Sequence, residues 1–82
     1  MATNLLVRGL SADTTDITIR EKFSQFGQVT DIELTPSKKP NMQNAKVEMT
    51  SSSDALRAMM GLHTKDIDGN RVRVVQAGLS KR

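Results

Sequence analysis

The sequence has no cysteine, tryptophan or tyrosine, and it contains two phenylalanines and one histidine. Without cysteine the chain forms no disulfide and no thiolate metal site, so cysteine usage leaves the redox compartment open. His63 has no second histidine and no carboxylate cluster near it in the sequence, which predicts a solvated turn residue. We expect no metal and no cofactor. No apolar run is long enough to cross a bilayer, and the first four residues lack the pattern of a secretory signal.

The length and charge favour one small basic domain. The 82 residues are 37% hydrophobic and 26% charged, which is typical of a globular protein. The formal net charge is +3, and segments 36–46 and 69–82 contain no acidic residue. The acidic residues Asp13, Asp16, Glu21 and Asp54 fall instead mainly on or near the predicted helices. One basic side of a domain favours a phosphate backbone as partner, whereas lysines that only aid solubility are the alternative.

Hydrophobic periodicity predicts four strands and two helices in the order β-α-β-β-α-β. The strands are predicted at residues 5–10, 29–34, 44–49 and 71–76, and the helices carry the apolar stripes Ile19, Phe23, Phe26 and Ala55, Ala58, Met59, Leu62. Thr14 or Thr15 is the expected N-cap of the first helix, Gly27 its left-handed end, and Ser51 with Asp54 the start of the second. The predicted fold class is α+β, a ferredoxin-like sandwich with both helices on one face of a four-stranded antiparallel sheet.

Two of these strands resemble the paired ribonucleoprotein motifs of the RNA recognition motif, a family of small RNA-binding domains. Leu5, Val7, Gly9 and Leu10 match the family's hexamer, and residues 44–49 occupy the end of its octamer. Further matches are Phe23-x-x-Phe26-Gly27, Ala55-x-x-Ala58-Met59, and Ile67-x-Gly69 followed by Val72-x-Val74. The resemblance implies an extension at residues 1–3, an RNA-binding-type domain at 4–77 and a flexible basic tail at 78–82.

The resemblance is incomplete at the positions that usually stack on RNA. Leu6, Asn44 and Lys46 stand where the family carries aromatic rings, and both phenylalanines are assigned to the core. In usual members two or three rings stack on single-stranded bases, and each stack contributes roughly 1–3 kcal/mol. We therefore expect weak or non-standard binding through charge. The predicted RNA-binding residues are Leu6, Arg8, Lys38, Lys39, Asn44, Lys46, Arg71, Arg73, Lys81 and Arg82.

Several of these predictions have bland alternatives. Glu48 would repel an anion at the sheet face. We expect with equal weight that it instead forms a cross-strand pair with Arg8 or Lys46. Lys38 and Lys39 fit a solvated loop as well as an RNA contact. Outward arginines on the last strand also protect a sheet edge from pairing with another chain.

The leading hypothesis is a noncatalytic module for single-stranded RNA that acts in RNA processing or post-transcriptional regulation. RNA would contact the basic sheet face, the loop at residues 36–41 and the tail. The alternative is a protein-interaction module, including homo-oligomerisation, with Leu6 and Val75 as an apolar patch. An enzyme is not expected, because the chain lacks paired carboxylates, an activated nucleophile and a glycine-rich phosphate loop. We expect an intracellular protein with no membrane partner, and we leave nucleus, cytoplasm and organelle open.

Overall fold

The computed structural model describes residues 2–77. The elements are β1 (Thr3–Ser11), α1 (Asp16–Ser24), β2 (Val29–Pro36), β3 (Met42–Met49), α2 (Ser52–Leu62), β4 (Asp66–Ile67), β5 (Asn70–Arg71) and β6 (Arg73–Gln76). The long strands form an antiparallel sheet in the order β2-β3-β1-β6, and β4 pairs with β5 as a separate ribbon. Both helices pack on one face of the sheet, so the predicted ferredoxin-like fold class is confirmed.

The core lies between the helices and the sheet. Inward strand residues such as Leu5, Val7 and Val47 alternate with outward ones, so one face of each strand is buried. Phe23 of α1 is fully buried, and Phe26 is partly buried against the same cluster. A Cβ on Gly61 of α2 would lie 2.6 Å from the Phe26 ring, so α2 needs a glycine where this ring packs. Both aromatic rings therefore lie on the helix side of the sheet.

The two helices begin as predicted, but the first ends differently. Thr15 caps α1 by accepting from the Thr18 amide at 3.4 Å, and Ser51 caps α2 by accepting from the Asp54 amide at 3.3 Å. The prediction that Gly27 is the left-handed end of α1 is wrong, because within residues 2–77 the glycines with positive φ are Gly9 and Gly69. A Cβ on Gly27 would instead lie 2.6 Å from the Asp54 Cβ, so glycine permits close approach of α2.

The predicted last strand is divided into two parts. Residues 70–71 pair with β4, whereas residues 73–76 pair with β1. Between them Val72 is fully buried, with its amide donating to the Lys65 carbonyl at 2.9 Å and its carbonyl accepting from the Thr64 amide at 2.8 Å. The last strand therefore changes its pairing strand at Val72, from β4 before this buried residue to β1 after it.

The outer edge of β6 is partly covered by the segment that follows α2. His63 is exposed, as predicted, and its Nδ1 also accepts a hydrogen bond from the Val74 amide at 3.0 Å. This contact was not predicted, since the spacing of one histidine in a turn gives no sign of a strand-edge partner. Covering the amides of an edge strand lowers its tendency to pair with another chain.

Candidate nucleic-acid interface

The sheet face away from the helices carries three rows of side chains, which the strand register sets. The acidic row consists of Asp31, Glu48 and Asn4. The middle row consists of Glu33, Lys46, Leu6 and Val75. The cationic row consists of Thr35, Asn44, Arg8 and Arg73. The charge on this face therefore changes sign along the strands.

A β-bulge shapes the cationic row. Because Val7 pairs with Ala45 and Leu10 pairs with Gln43, two residues of β1, Arg8 and Gly9, lie opposite one residue of β3. Gly9 has a φ of 87°, and a Cβ there would lie 3.0 Å from the carbonyl oxygen of Arg71 in β5. Glycine therefore permits both the bulge conformation and the close approach. Bulges redirect side chains and are common beside functional sites.

The bulge, the β2–β3 loop and β5 enclose a cleft of about 650 Å³. Its lining residues come from these three parts of the fold and from the adjoining ends of β3 and β6. They are Arg8, Gly9, Ser37, Lys38, Lys39, Met42, Asn44, Arg71 and Arg73. The lining thus contains five basic side chains and no acidic one. We call this feature the cationic cleft.

Within residues 2–77 no basic residue of the cationic cleft forms an ion pair, although Asp66 lies directly opposite Arg71 in the β4–β5 register. Among residues 2–77 the ion pairs are Lys46 with Glu33 at 3.4 Å and Arg57 with Asp54 at 2.7 Å. Moreover, Arg8 lies directly opposite Arg73 in the β1–β6 register. Like charges placed opposite each other destabilise a sheet. A cluster that bears this cost without an acidic partner is suited to an external anion.

The β4–β5 hairpin holds Arg71 at the cleft. Its turn has two residues with positive φ, Asp68 and Gly69, as a tight hairpin requires. The Asp68 carboxylate accepts from the hydroxyl of Thr14, a buried residue, at 2.7 Å. Asn70 donates from Nδ2 to the Gly9 carbonyl at 3.2 Å. Two side-chain hydrogen bonds therefore fix the hairpin against β1 and its following loop.

The remaining charges of the sheet face have partners other than those expected. The expected pair of Glu48 with Arg8 or Lys46 is not formed, because Glu48 accepts from the Thr30 hydroxyl at 2.8 Å. Lys46 pairs with Glu33 across the β2–β3 register. The sequence could not decide between these partners, since the residue added at the start of β2 shifts its register against β3.

The structure brings most of the predicted contact residues together. Six of them, Arg8, Lys38, Lys39, Asn44, Arg71 and Arg73, line the cationic cleft. Leu6 and Lys46 lie in the middle row, outside this lining, and Lys81 and Arg82 fall outside the described residues. Sequence reasoning missed the bulge at Gly9, although an isolated glycine in a strand pattern is its usual signal.

The fold is that of a small α+β domain with two helices on one face of a four-stranded antiparallel sheet. A sequence model described as the RNA recognition motif matches residues 5–73 of this chain. The chain therefore belongs to the RNA recognition motif family, which confirms the predicted family and the assignment to RNA-binding modules rather than enzymes.

Relatives agree with this membership. The organelle RRM domain-containing protein 6, chloroplastic, of Arabidopsis thaliana is 34% identical over 77 residues, which cover 92% of this chain and 42% of the relative. The chain thus spans less than half of that relative's length. Similar solved structures include the first two domains of the yeast poly(U)-binding protein, with 29% identity, a TM-score of 0.87, and coverage of 96% of this chain and 48% of that one. RNA recognition domains 1 and 2 of Drosophila melanogaster Sex-lethal are also similar, with 28% identity and a TM-score of 0.81. The match covers 94% of this chain and 50% of that one.

Within residues 2–77 no group of three or more histidines and acidic residues is placed to hold a metal ion. Neither of the two described helices has the length and apolar character needed to span a membrane.

Proposed function

We propose that this domain binds single-stranded RNA weakly at the cationic cleft, chiefly through phosphate contacts. The observation that carries the proposal is the set of five basic lining residues, which includes no acidic residue and, within residues 2–77, forms no ion pair. Binding of this kind weakens steeply with salt, because each neutralised phosphate releases condensed counterions. The acid-free lining therefore supports an affinity that depends on ionic strength.

Different parts of the cleft supply different contacts. Arg8 and Arg73 lie opposite each other, so a phosphate placed between them would relieve their mutual repulsion. Their guanidinium planes also offer surfaces on which a base stacks. Lys38 and Lys39 lie in the loop and act as point charges toward the backbone. Asn44 offers both a donor and an acceptor to the edge of a base.

The middle row offers a modest apolar surface next to the cleft. Leu6 lies directly opposite Val75, and Val75 is 40% exposed. These side chains can contact the face of a base but lack the π-system that makes stacking strong. We therefore expect lower affinity than in family members with rings and a larger electrostatic share of it. Lys81 and Arg82 are proposed to add further phosphate contacts.

An amide chemical-shift titration at two salt concentrations tests this proposal. Poly(U) is a reasonable first probe because a similar yeast protein is named for binding it, and a mixed-sequence RNA is the second. We expect the amides of Arg8, Asn44 and Arg73 and those of the Lys38–Lys39 loop to shift, and the shifts to diminish at higher salt. Shifts confined to the helices, or binding that is insensitive to salt, would contradict the proposal.

A protein partner on the sheet face is the second candidate. Leu6 and Val75 form the apolar pair that such a partner would cover. Sedimentation velocity over a concentration series tests the homo-oligomer version, and Val75→Gln is the variant expected to abolish it. If the domain stays monomeric and RNA shifts the sheet amides, the homo-oligomer version of this candidate is rejected.

The cellular setting follows from the RNA proposal. We propose a role in RNA processing or post-transcriptional regulation inside the cell, and the chloroplastic relative supports including organelles among the compartments to test. Crosslinking of the full-length protein to RNA in cells, followed by fractionation, tests both points. Recovery of no RNA above an Arg8→Gln/Arg73→Gln control would contradict this role.

A further inference from the structure

We propose that Glu33 limits the RNA-binding surface to the cationic cleft by holding Lys46 away from the phosphate backbone. This inference rests on the proposed function of the cleft and deepens it, because it defines how far a bound strand extends across the sheet. Lys46, which the sequence predicts as an RNA contact, is then a cation that the ion pair with Glu33 holds in place.

The geometry places Glu33 between the two charged ends of the face. Glu33 lies in the middle row, two residues along β2 from Thr35 of the cationic row. At about 3.3 Å per residue this separation is about 7 Å, which is shorter than the Debye length of about 10 Å at 0.1 M salt. The Glu33 carboxylate therefore acts on a phosphate that leaves the cleft toward the middle row.

The ion pair with Lys46 removes the only cation of the middle row. The Lys46 Nζ lies 3.4 Å from the Glu33 carboxylate, and the two residues are directly opposite each other across β2 and β3. Both side chains are about half exposed, so the pair is weak and can be broken by one substitution. Beyond it Asp31 lies directly opposite Glu48, and no basic side chain within residues 2–77 forms a salt bridge with either.

RNA is thereby confined to one end of the sheet. An RNA strand that extended past the middle row would meet the acidic row, where Asp31 and Glu48 would repel its phosphates. A strand that stays in the cleft meets basic residues from the loop, the bulge and β5. The structure thus favours a short bound segment.

The test compares Glu33→Gln with the control Glu21→Gln. Both variants change the net charge by the same amount, but Glu21 lies on α1, on the opposite side of the sheet. Glu21 is exposed, and within residues 2–77 it forms no salt bridge. A freed Lys46 adds one phosphate contact, so Glu33→Gln is expected to raise RNA affinity about fivefold at 0.1 M salt and to steepen the slope of log K against log[salt] by about 0.7. Glu21→Gln is expected to leave the slope unchanged.

A double variant identifies the cation that is released. Glu33→Gln/Lys46→Gln removes both charges of the pair and is expected to return the affinity and the slope to those of the unmodified domain. The measurement is fluorescence anisotropy with a labelled single-stranded RNA, using oligonucleotides of increasing length. In Glu33→Gln the affinity is expected to keep rising to greater lengths, because the middle row then accepts the strand.

The outcomes separate this inference from the proposed function. If Arg8→Gln/Arg73→Gln loses RNA binding and Glu33→Gln behaves as Glu21→Gln does, the inference is wrong and the cleft proposal stands. If the arginine variant binds as well as the unmodified domain, the proposed function itself fails. A gain in Glu33→Gln that persists in the double variant would also overturn the assignment to Lys46.

Discussion

The two ends of the open sheet face lie on the same strands but carry charges of opposite sign. Each end has two like charges directly opposite each other, Asp31 with Glu48 and Arg8 with Arg73. The acidic pair lies on the open surface of the strands. The basic pair lies in a concave region that a bulge, a loop and a hairpin build around it. Surrounding concavity and additional like charge, rather than one repulsive pair, therefore distinguish the proposed binding site from the acidic end.

The largest expected effect comes from removing the basic pair. Arg8→Gln/Arg73→Gln should lower RNA affinity about 25-fold at 0.1 M salt, since each lost phosphate contact removes about 0.7 from the salt exponent. Lys22→Gln/Arg57→Gln on the two helices removes the same number of positive charges, so it is the matched control and should leave the affinity unchanged. Anisotropy titrations of the three proteins measure this, and equal losses in the control and the double variant would show that only net charge matters.

Restoring an aromatic ring to the middle row should extend binding beyond the basic end. Leu6→Tyr places a ring at a position that carries one in most family members, and a base stack of roughly 1–3 kcal/mol predicts about a tenfold gain in affinity. Leu56→Tyr is the control, because Leu56 is half exposed on α2. The same titrations at high salt check the mechanism: the gain should persist there, and a gain that disappears with salt would argue against stacking.

The hairpin that carries Arg71 should contribute a smaller, indirect effect. Asn70→Ala removes the donor to the Gly9 carbonyl, which should lower the free energy of unfolding by about 1 kcal/mol and RNA affinity about threefold through a misplaced Arg71. Denaturant unfolding and RNA titration measure the two effects. A cycle with Arg71→Gln tests the positioning role: once Arg71 is neutral, Asn70→Ala should no longer change RNA affinity.

The smallest effect should come from the acidic pair. Asp31→Asn removes a like-charge contact and should stabilise the fold by about 0.3 kcal/mol. Its effect on RNA affinity should be below about twofold, because four residues of strand separate Asp31 from the cationic row by about 13 Å, more than a Debye length. Thermal unfolding with Asp13→Asn as control measures the first effect. A large gain in RNA affinity would show that the acidic row acts directly on the bound strand.

The fold was predictable because its local signals agree with one another. The alternation of Leu5 and Val7 and the caps at Thr15 and Ser51 each predict the element that forms. Gly27 was misassigned because a glycine after a helix usually marks a left-handed end, whereas here the close approach of α2 requires it. Such a contact between distant segments has no local signature.

The composition of the site was predictable, but its shape was not. Basic residue types without nearby acids predicted a basic surface, and six of the predicted residues line one cleft. The cleft itself depends on the bulge at Gly9 and on the division of the last strand at Val72. Both are consequences of strand register. For the same reason the pairing of Lys46 with Glu33, rather than with Glu48, is visible only in the folded chain.

The salt dependence of RNA affinity tests the central claim most directly. If the five basic residues of the cationic cleft each neutralise a phosphate, they should contribute about −3.5 to the slope of log K against log[salt], and the slope should become shallower by about 1.4 in Arg8→Gln/Arg73→Gln. The measurement is a series of anisotropy titrations on both proteins with the same single-stranded RNA. A slope near zero, or the same slope for the two proteins, would contradict binding through charge at this end of the sheet.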